Sequence, residues 1–168
     1  GSFAASGTGI RCFENKKIMI ATGGKTSRLW VSPDKGLNWN VLTPPILQGE
    51  TMTCIFSVAL ADAIHWIIVG GNYEIDSLKT DHVFLTSDAG QNWKQPAVPT
   101  RGLRECVEFI DRTTVLSSGL NGIDVSYDGG MHWQPLSDEK KFSVVRKSRK
   151  GLLIILAGAN GKVALLKK

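Results

Sequence analysis

"SPDKGLNW", residues 32–39, sets a proline, a glycine, a charge pair and a tryptophan directly behind the apolar run "RLWV". The octet returns as "TSDAGQNW" at 86–93 and as "SYDGGMHW" at 126–133. All three read Ser/Thr-x-Asp-x-Gly-x-x-Trp, with starts 54 and 40 residues apart. Self-similarity at a spacing of about 40 to 50 residues marks a repeat architecture. The chemistry is that of a tight hairpin opened by Ser32, Thr86 or Ser126. Asp34, Asp88 and Asp128 can accept hydrogen bonds from backbone N–H groups of their own turn. Gly36, Gly90 and Gly130 supply the positive φ that other residues tolerate poorly. Trp39, Trp93 and Trp133 each open the next strand, where an indole can bury ~150–250 Å² against neighbouring strands.

Between the octets, short runs such as "CIFSVAL" and "HWIIVGG" alternate with Gly, Asn and Asp turns, and no apolar stripe of helical period and length interrupts them. Such β-branched and aromatic runs are strands. The unit they form has four: in the second unit 53–60, 64–70, 82–87 and 93–98, with the octet joining the third strand to the fourth. The first unit matches at 7–13, 17–23, 28–32 and 39–43, the third at 104–110, 113–118, 122–126 and 133–136. "KFSVVRKS", "GLLIILAG" and "KVALLKK" then give three strands of a fourth unit, 141–168, with neither octet nor outer strand. The expectation is one all-β domain over residues 1–168, with units at about 7–43, 53–98, 104–136 and 141–168.

At 168 residues and 42% hydrophobic content the chain can build such a core. No run nears the ~18 apolar residues of a membrane helix, and the start of the chain reads as lacking a secretory signal. Cys12, Cys54 and Cys106 lie 42 and 52 residues apart, without metal-ligand spacing, and read as small buried hydrophobes, leaving the compartment open. The net charge of +5 is uneven, with nine Lys or Arg and no acid from Lys140 to Lys168. Such a block reads as a solvated turn with strand ends, or as a mark of an acidic partner.

The octets resemble the Asp-box, or BNR, repeat of sialidases and other β-propellers. "FAASGTGI", "WIIVGGNYEIDSLKTDHVFLTSDAGQNW", "RGLRECV", "GLNGIDVSYDGGMHW" and "GANGKVALLK" further resemble a bacterial group related to the plant and cyanobacterial photosystem II stability/assembly factor. The resemblance runs over the whole chain and covers the C-terminal half of proteins about twice as long, which form seven-bladed propellers. It implies a propeller segment whose last blade lacks its outer strand, and an assembly-factor-like, non-catalytic role in protein binding, leaning toward a periplasmic or secreted setting. A half-propeller of this kind needs either its missing N-terminal half or a second copy; a self-standing four-bladed monomer is the alternative.

Propellers place function on the face bearing the loops opposite the octet hairpins. There "GNYEIDSLKTD", 71–81, is the longest loop, and polar residues such as Tyr73 and Asp76 exceed what a turn needs. "AVPTRGLR", 97–104, adds Arg101 and Arg104. An arginine pair beside Tyr73 and Asp76 can hold a carboxylate, a phosphate or an acidic peptide through bidentate bonds; otherwise the pair is neutralised internally by Glu105, Glu108 or Asp76. A glycan-binding or sialidase-like hydrolytic propeller is the alternative function. Its tyrosine nucleophile has only Tyr73 to draw on, because Tyr127 sits inside an octet, and no third arginine joins the pair. Glu50 and Asp76 could form a carboxylate pair, but their spacing does not demand one. His65, His82 and His132 are scattered, so no metal triad is indicated. "ATGGKTS" at 21–27 joins two strands where a phosphate cradle opens a helix, so no nucleotide cofactor is expected. "RKSRK" at 146–150 has no exposed aromatic stack beside it, so nucleic acid is not an expected partner.

Overall fold

A computed structural model describes residues 6–166; Phe3–Ala5 of "FAASGTGI" and Lys167 and Lys168 of the terminal basic block lie outside the described residues. In chain order the strands are β1 (Ile10–Phe13), β2 (Lys17–Thr22), β3 (Arg28–Ser32), β4 (Asn40–Leu42), β5 (Thr53–Leu60), β6 (Trp66–Asn72) and β7 (Val83–Thr86). They continue with β8 (Cys106–Phe109), β9 (Val115–Gly119), β10 (Gly122–Ser126), β11 (Trp133–Ser137), β12 (Phe142–Lys147), β13 (Ile154–Gly158) and β14 (Val163–Leu166). A single 3₁₀ turn, Ala159–Gly161, joins the last two. The architecture is all-β, with four antiparallel meanders ordered β1-β2-β3-β4, β5-β6-β7, β8-β9-β10-β11 and β12-β13-β14.

The second sheet departs from the four-strand expectation. Its outer strand, expected at 93–98, shrinks to one pairing of Lys94 with Leu85. Pro96 and Pro99 carry no N–H for a ladder. Val98 turns instead to the third octet, donating to Met131 O and accepting from Trp133 N (3.1 and 2.9 Å).

The octets close by one repeated set of bonds. The hydroxyls of Ser32, Thr86 and Ser126 accept from Gly36, Gly90 and Gly130 N–H (2.7, 2.9 and 2.9 Å) and donate to the aspartate two residues on (3.0, 2.8 and 2.8 Å). Each aspartate then accepts from the backbone N–H of Asn38, Asn92 or His132 (2.8, 2.9 and 2.9 Å). The octet glycines sit at φ of 93°, 85° and 96°, and a Cβ on Gly130 would strike Ile67 Cδ1 of the preceding sheet at 2.6 Å. Burial pulls the Asp128 pKa upward, but the His132 backbone and ring donors outweigh it and hold the carboxyl at about 2. With the folded value below the ordinary one near ~4, the charge contributes stability above that range and loses it as pH falls toward about 2. The gap in urea midpoint between the wild type and Asp128→Asn is therefore expected to be widest at neutral pH and to close on acidification; a gap independent of pH would refute the assignment.

Consecutive sheets pack face to face in chain order. The first and second share a core of Met19, Leu29, Ile55, Val58 and Trp66; Ile67, Val83, Val107 and Trp133 join the second to the third. The third and fourth meet through Leu116, Ile123, Phe142, Ile154 and Leu156. First strands of neighbouring sheets are also stitched by polar side chains. Arg11 donates to Val58 O and Val107 O (2.7 and 3.0 Å), Thr8 bonds Ser57 (2.6 Å), and Ser57 Oγ accepts from Val107 N (3.0 Å).

The octet tryptophans pack toward the preceding sheet, and their burial follows from that. Trp133 is 4% exposed and Trp93 half-buried, whereas Trp39 is 37% exposed. The expectation that Trp39 buries like the other two fails because, among the described residues, no sheet precedes the first. The same open face corrects the reading of the cysteines: Cys106 is buried and Cys54 half-buried, but Cys12 is exposed on β1.

Candidate binding face

In the loop between β6 and β7, residues 73–82, two backbone bonds hold the stretch from Tyr73 to Asp76. Tyr73 N donates to Met52 O (3.1 Å), and Leu103 N donates to Asp76 O (2.8 Å). Gly102 permits the second contact: it sits at φ 121°, and a Cβ there would collide with the Asp76 carbonyl and the Ser77 backbone. Below the loop, His82 Nε2 meets Thr100 Oγ1 (2.9 Å), whose hydroxyl donates to Gly102 O (3.0 Å). Burial lowers the His82 pKa, so the imidazole is neutral at pH 7. From this base Tyr73 and Ile75 stand 42% and 53% exposed, with Asp76 half-buried.

The two arginines divide their roles. Arg104 is wholly buried. Its Nε donates to Asp124 Oδ2 (3.0 Å), Nη2 donates to the same oxygen, and Nη1 donates to Leu103 O (2.8 Å) and to Asn121 Oδ1. Arg101 donates to Asp124 through its backbone N and Nε (3.0 and 2.7 Å), and through Nη2 to Ile123 O and Ser137 O (3.1 and 2.9 Å). Only its Nη1 turns outward, to Asp138 at 2.5 Å. The Arg101 side chain is 27% exposed and Asp138 91%. Desolvation pulls the Arg104 pKa down and the Asp124 charge opposes it.

The acid between the arginines is thus Asp124, on the middle of β10, in place of the Glu105, Glu108 or Asp76 expected from sequence. Glu108 pairs with Arg11 (2.7 Å) and approaches Arg146 (3.6 Å). Glu105 is buried beside Ser143, and Asp76 acts on Arg104 only as a nearby charge. Asp124 did carry a signal: an acid inside "GIDVS", a run with every residue buried, requires a partner.

The remaining candidates disperse. Glu50 is exposed in a turn closed by Thr53, and Tyr127 is 60% exposed on its octet. His65 and His132 each bond the aspartate of their own turn, Asp62 and Asp128, at 2.8 and 2.6 Å. Residues 21–27 span the β2–β3 connection, where Ser27 N donates to Gln48 (2.7 Å).

Serial antiparallel meanders of three or four strands, octet hairpins stapled behind the third strand of the first three, and a sheet-on-sheet core define a β-propeller segment. Neither a protein-family model nor a curated protein matches the sequence. Solved propellers do match in fold. "YCF48 bound to D1 peptide" superposes with a TM-score of 0.64 at 16% identity, over 99% of this chain and 52% of that one. The GH74 enzyme of Niastella koreensis (TM-score 0.60, 14% identity) aligns over 91% of this chain and 26% of its own. The GH74 xyloglucanase of Xanthomonas campestris (TM-score 0.55, 13% identity) aligns over 97% and 27%. The chain therefore spans about half the length of YCF48 and a quarter of each glycoside hydrolase.

Proposed function

We propose that this chain is a non-catalytic propeller scaffold that binds a protein segment on its loop face, with Tyr73 and Ile75 as the apolar contact and Arg101 as the anchor for a carboxylate. The observation that carries this reading is the doubly pinned loop, which holds two large apolar side chains in solvent and is tied by Asp76 O to Leu103, two residues after the partly exposed Arg101. Rigid presentation of an aromatic limits the entropy lost on binding. Asp138 occupies Arg101 Nη1 from an exposed position, so an incoming carboxylate can replace it at little cost. Arg104 and Asp124 position Arg101 and touch no ligand, while Asp76 fixes the loop through its carbonyl. The fold shared with YCF48, solved with a peptide bound, supports an assembly-factor-like reading.

The test is titration of an acidic, aromatic-containing peptide library by isothermal calorimetry. Tyr73→Ala is expected to weaken the best binder about tenfold, the size of a hot-spot aromatic, with the melting profile unchanged. Asp138→Ala, which frees Arg101, is expected to strengthen it. Indifference to both changes refutes the face. Binding or turnover of oligosaccharides in its place would favour the glycan reading.

A further inference from the structure

Beside the octets, the second and third sheets enclose a cavity of about 350 Å³, lined by Ile67 and Leu85 from one sheet and by Phe109 and Met131 from the other. That volume falls within the range of small-ligand clefts. Phe109 and Met131 are half-buried against the core that joins the two sheets, so the cavity is bounded without either terminal sheet. Its polar groups divide in two. Asp62 accepts from Ile64 N and His65 N (2.9 Å each) and meets His65 Nδ1 at 2.8 Å. Asp128 accepts from Ser126 Oγ, Met131 N and His132 N (2.8, 3.1 and 2.9 Å) and meets His132 Nδ1. Both carboxylates are thus spent inside their own turns. Lys94 and Arg112 line the same cavity and are exposed, and neither side chain has an ion pair or a hydrogen bond among the described residues.

The cleft between the first and second sheets lacks this pair of cations. Asn40 pairs with Val31 there as Lys94 pairs with Leu85 here, and Val31 and Leu85 each directly precede an octet. Lys17, which lines that cleft, is bound by Glu14 at 2.8 Å. Sheet packing accounts for both clefts, but it does not require two unpaired cations beside one of them.

We propose that the cavity between the second and third sheets binds a small organic carboxylate, with its apolar body against Phe109, Met131, Ile67 and Leu85 and its charge held by Lys94 and Arg112. The two unspent cations are donors only, so an anion complements them. Arg112 offers a planar fork that takes both carboxylate oxygens, and Lys94 adds a compact charge. Met131, unbranched and flexible, adapts to bodies of different shape. Trp66, at the start of β6, borders the cavity, whereas Tyr73 follows the other end of that strand. The site is therefore separate from the loop face and does not rest on that reading.

Phenylbutyrate titrated into the isotope-labelled chain is expected to give saturable shifts of the Lys94, Arg112, Gly129 and Met131 amides by nuclear magnetic resonance. Lys94→Ala and Arg112→Ala are each expected to weaken binding about tenfold, the size of a charge-assisted hydrogen bond, and Arg112→Glu to abolish it. Both positions are exposed, so the melting profile is expected to stay that of the wild type. Neutral phenylbutanol and inorganic phosphate are each expected to bind at least about tenfold more weakly than the carboxylate. Equal binding of the alcohol would overturn the anion site, and equal binding of phosphate would overturn the part played by the apolar walls. The assignment also fails if no shift saturates, if the shifts fall on Tyr73 and its loop instead, or if all three variants bind as the wild type does.

Discussion

Asp124→Ala is expected to cost about 3–5 kcal/mol of unfolding free energy, the penalty of leaving a buried cation without its acid. Arg104 is wholly buried and Asp124 is 1% exposed, so water cannot replace the lost partner. The carboxylate also accepts from Arg101 N and Nε, so removing it frees donors on two residues at once. The damage should reach the loop face, because Leu103 N–H, which holds Asp76, lies between those two arginines. Asp124→Asn keeps two acceptor sites at most and is expected to fall between alanine and the wild type. Asp138→Ala, which removes the exposed partner of the same Arg101, is expected to change stability little. Combining Arg104→Met with Asp124→Leu should recover part of the loss, since it removes the wholly buried charge and leaves only Arg101, which is partly exposed and keeps Asp138. Urea unfolding of the four variants checks the order. If Asp124→Ala unfolds within about 1 kcal/mol of the wild type, the ion pair is not the support of this face.

The contrast between octets and site shows why sequence carried one further than the other. An octet is decided by eight consecutive residues, since its hydroxyl, carboxylate, glycine and indole all bond inside the turn or to the sheet before it. That locality made three hairpins legible. The outer strand of the second sheet is decided by Pro96 and Pro99 as much as by its apolar residues, and the prolines win. The arginine pair is settled by a residue 20 positions away from Arg104. Long-range pairing of this kind leaves one trace in sequence, a charge in a buried strand, and that trace names the need for a partner without naming the partner. Loop length did place Tyr73 and Asp76 on one connection, but their separation into an exposed ring and a carbonyl clamp depends on the bond from Leu103, which spacing does not reveal.

The second large effect is expected at Trp133. Trp133→Ala removes an indole that is 4% exposed, packed with Ile67, Val83 and Leu85 of the preceding sheet and donating Nε1–H to Gly130 O at 2.8 Å. Truncation of such a side chain costs about 3–5 kcal/mol, because the lost transfer energy is joined by a cavity that a sheet-on-sheet contact cannot collapse. Trp93→Ala should cost less, since its indole is only half-buried. Trp39→Ala should cost least in the separate chain, where 37% of the residue already faces water. This gradient comes from position along the chain, since the three octets share the same hydroxyl, aspartate and glycine bonds. Urea denaturation midpoints of the three variants check the order, and equal losses at all three positions would refute it.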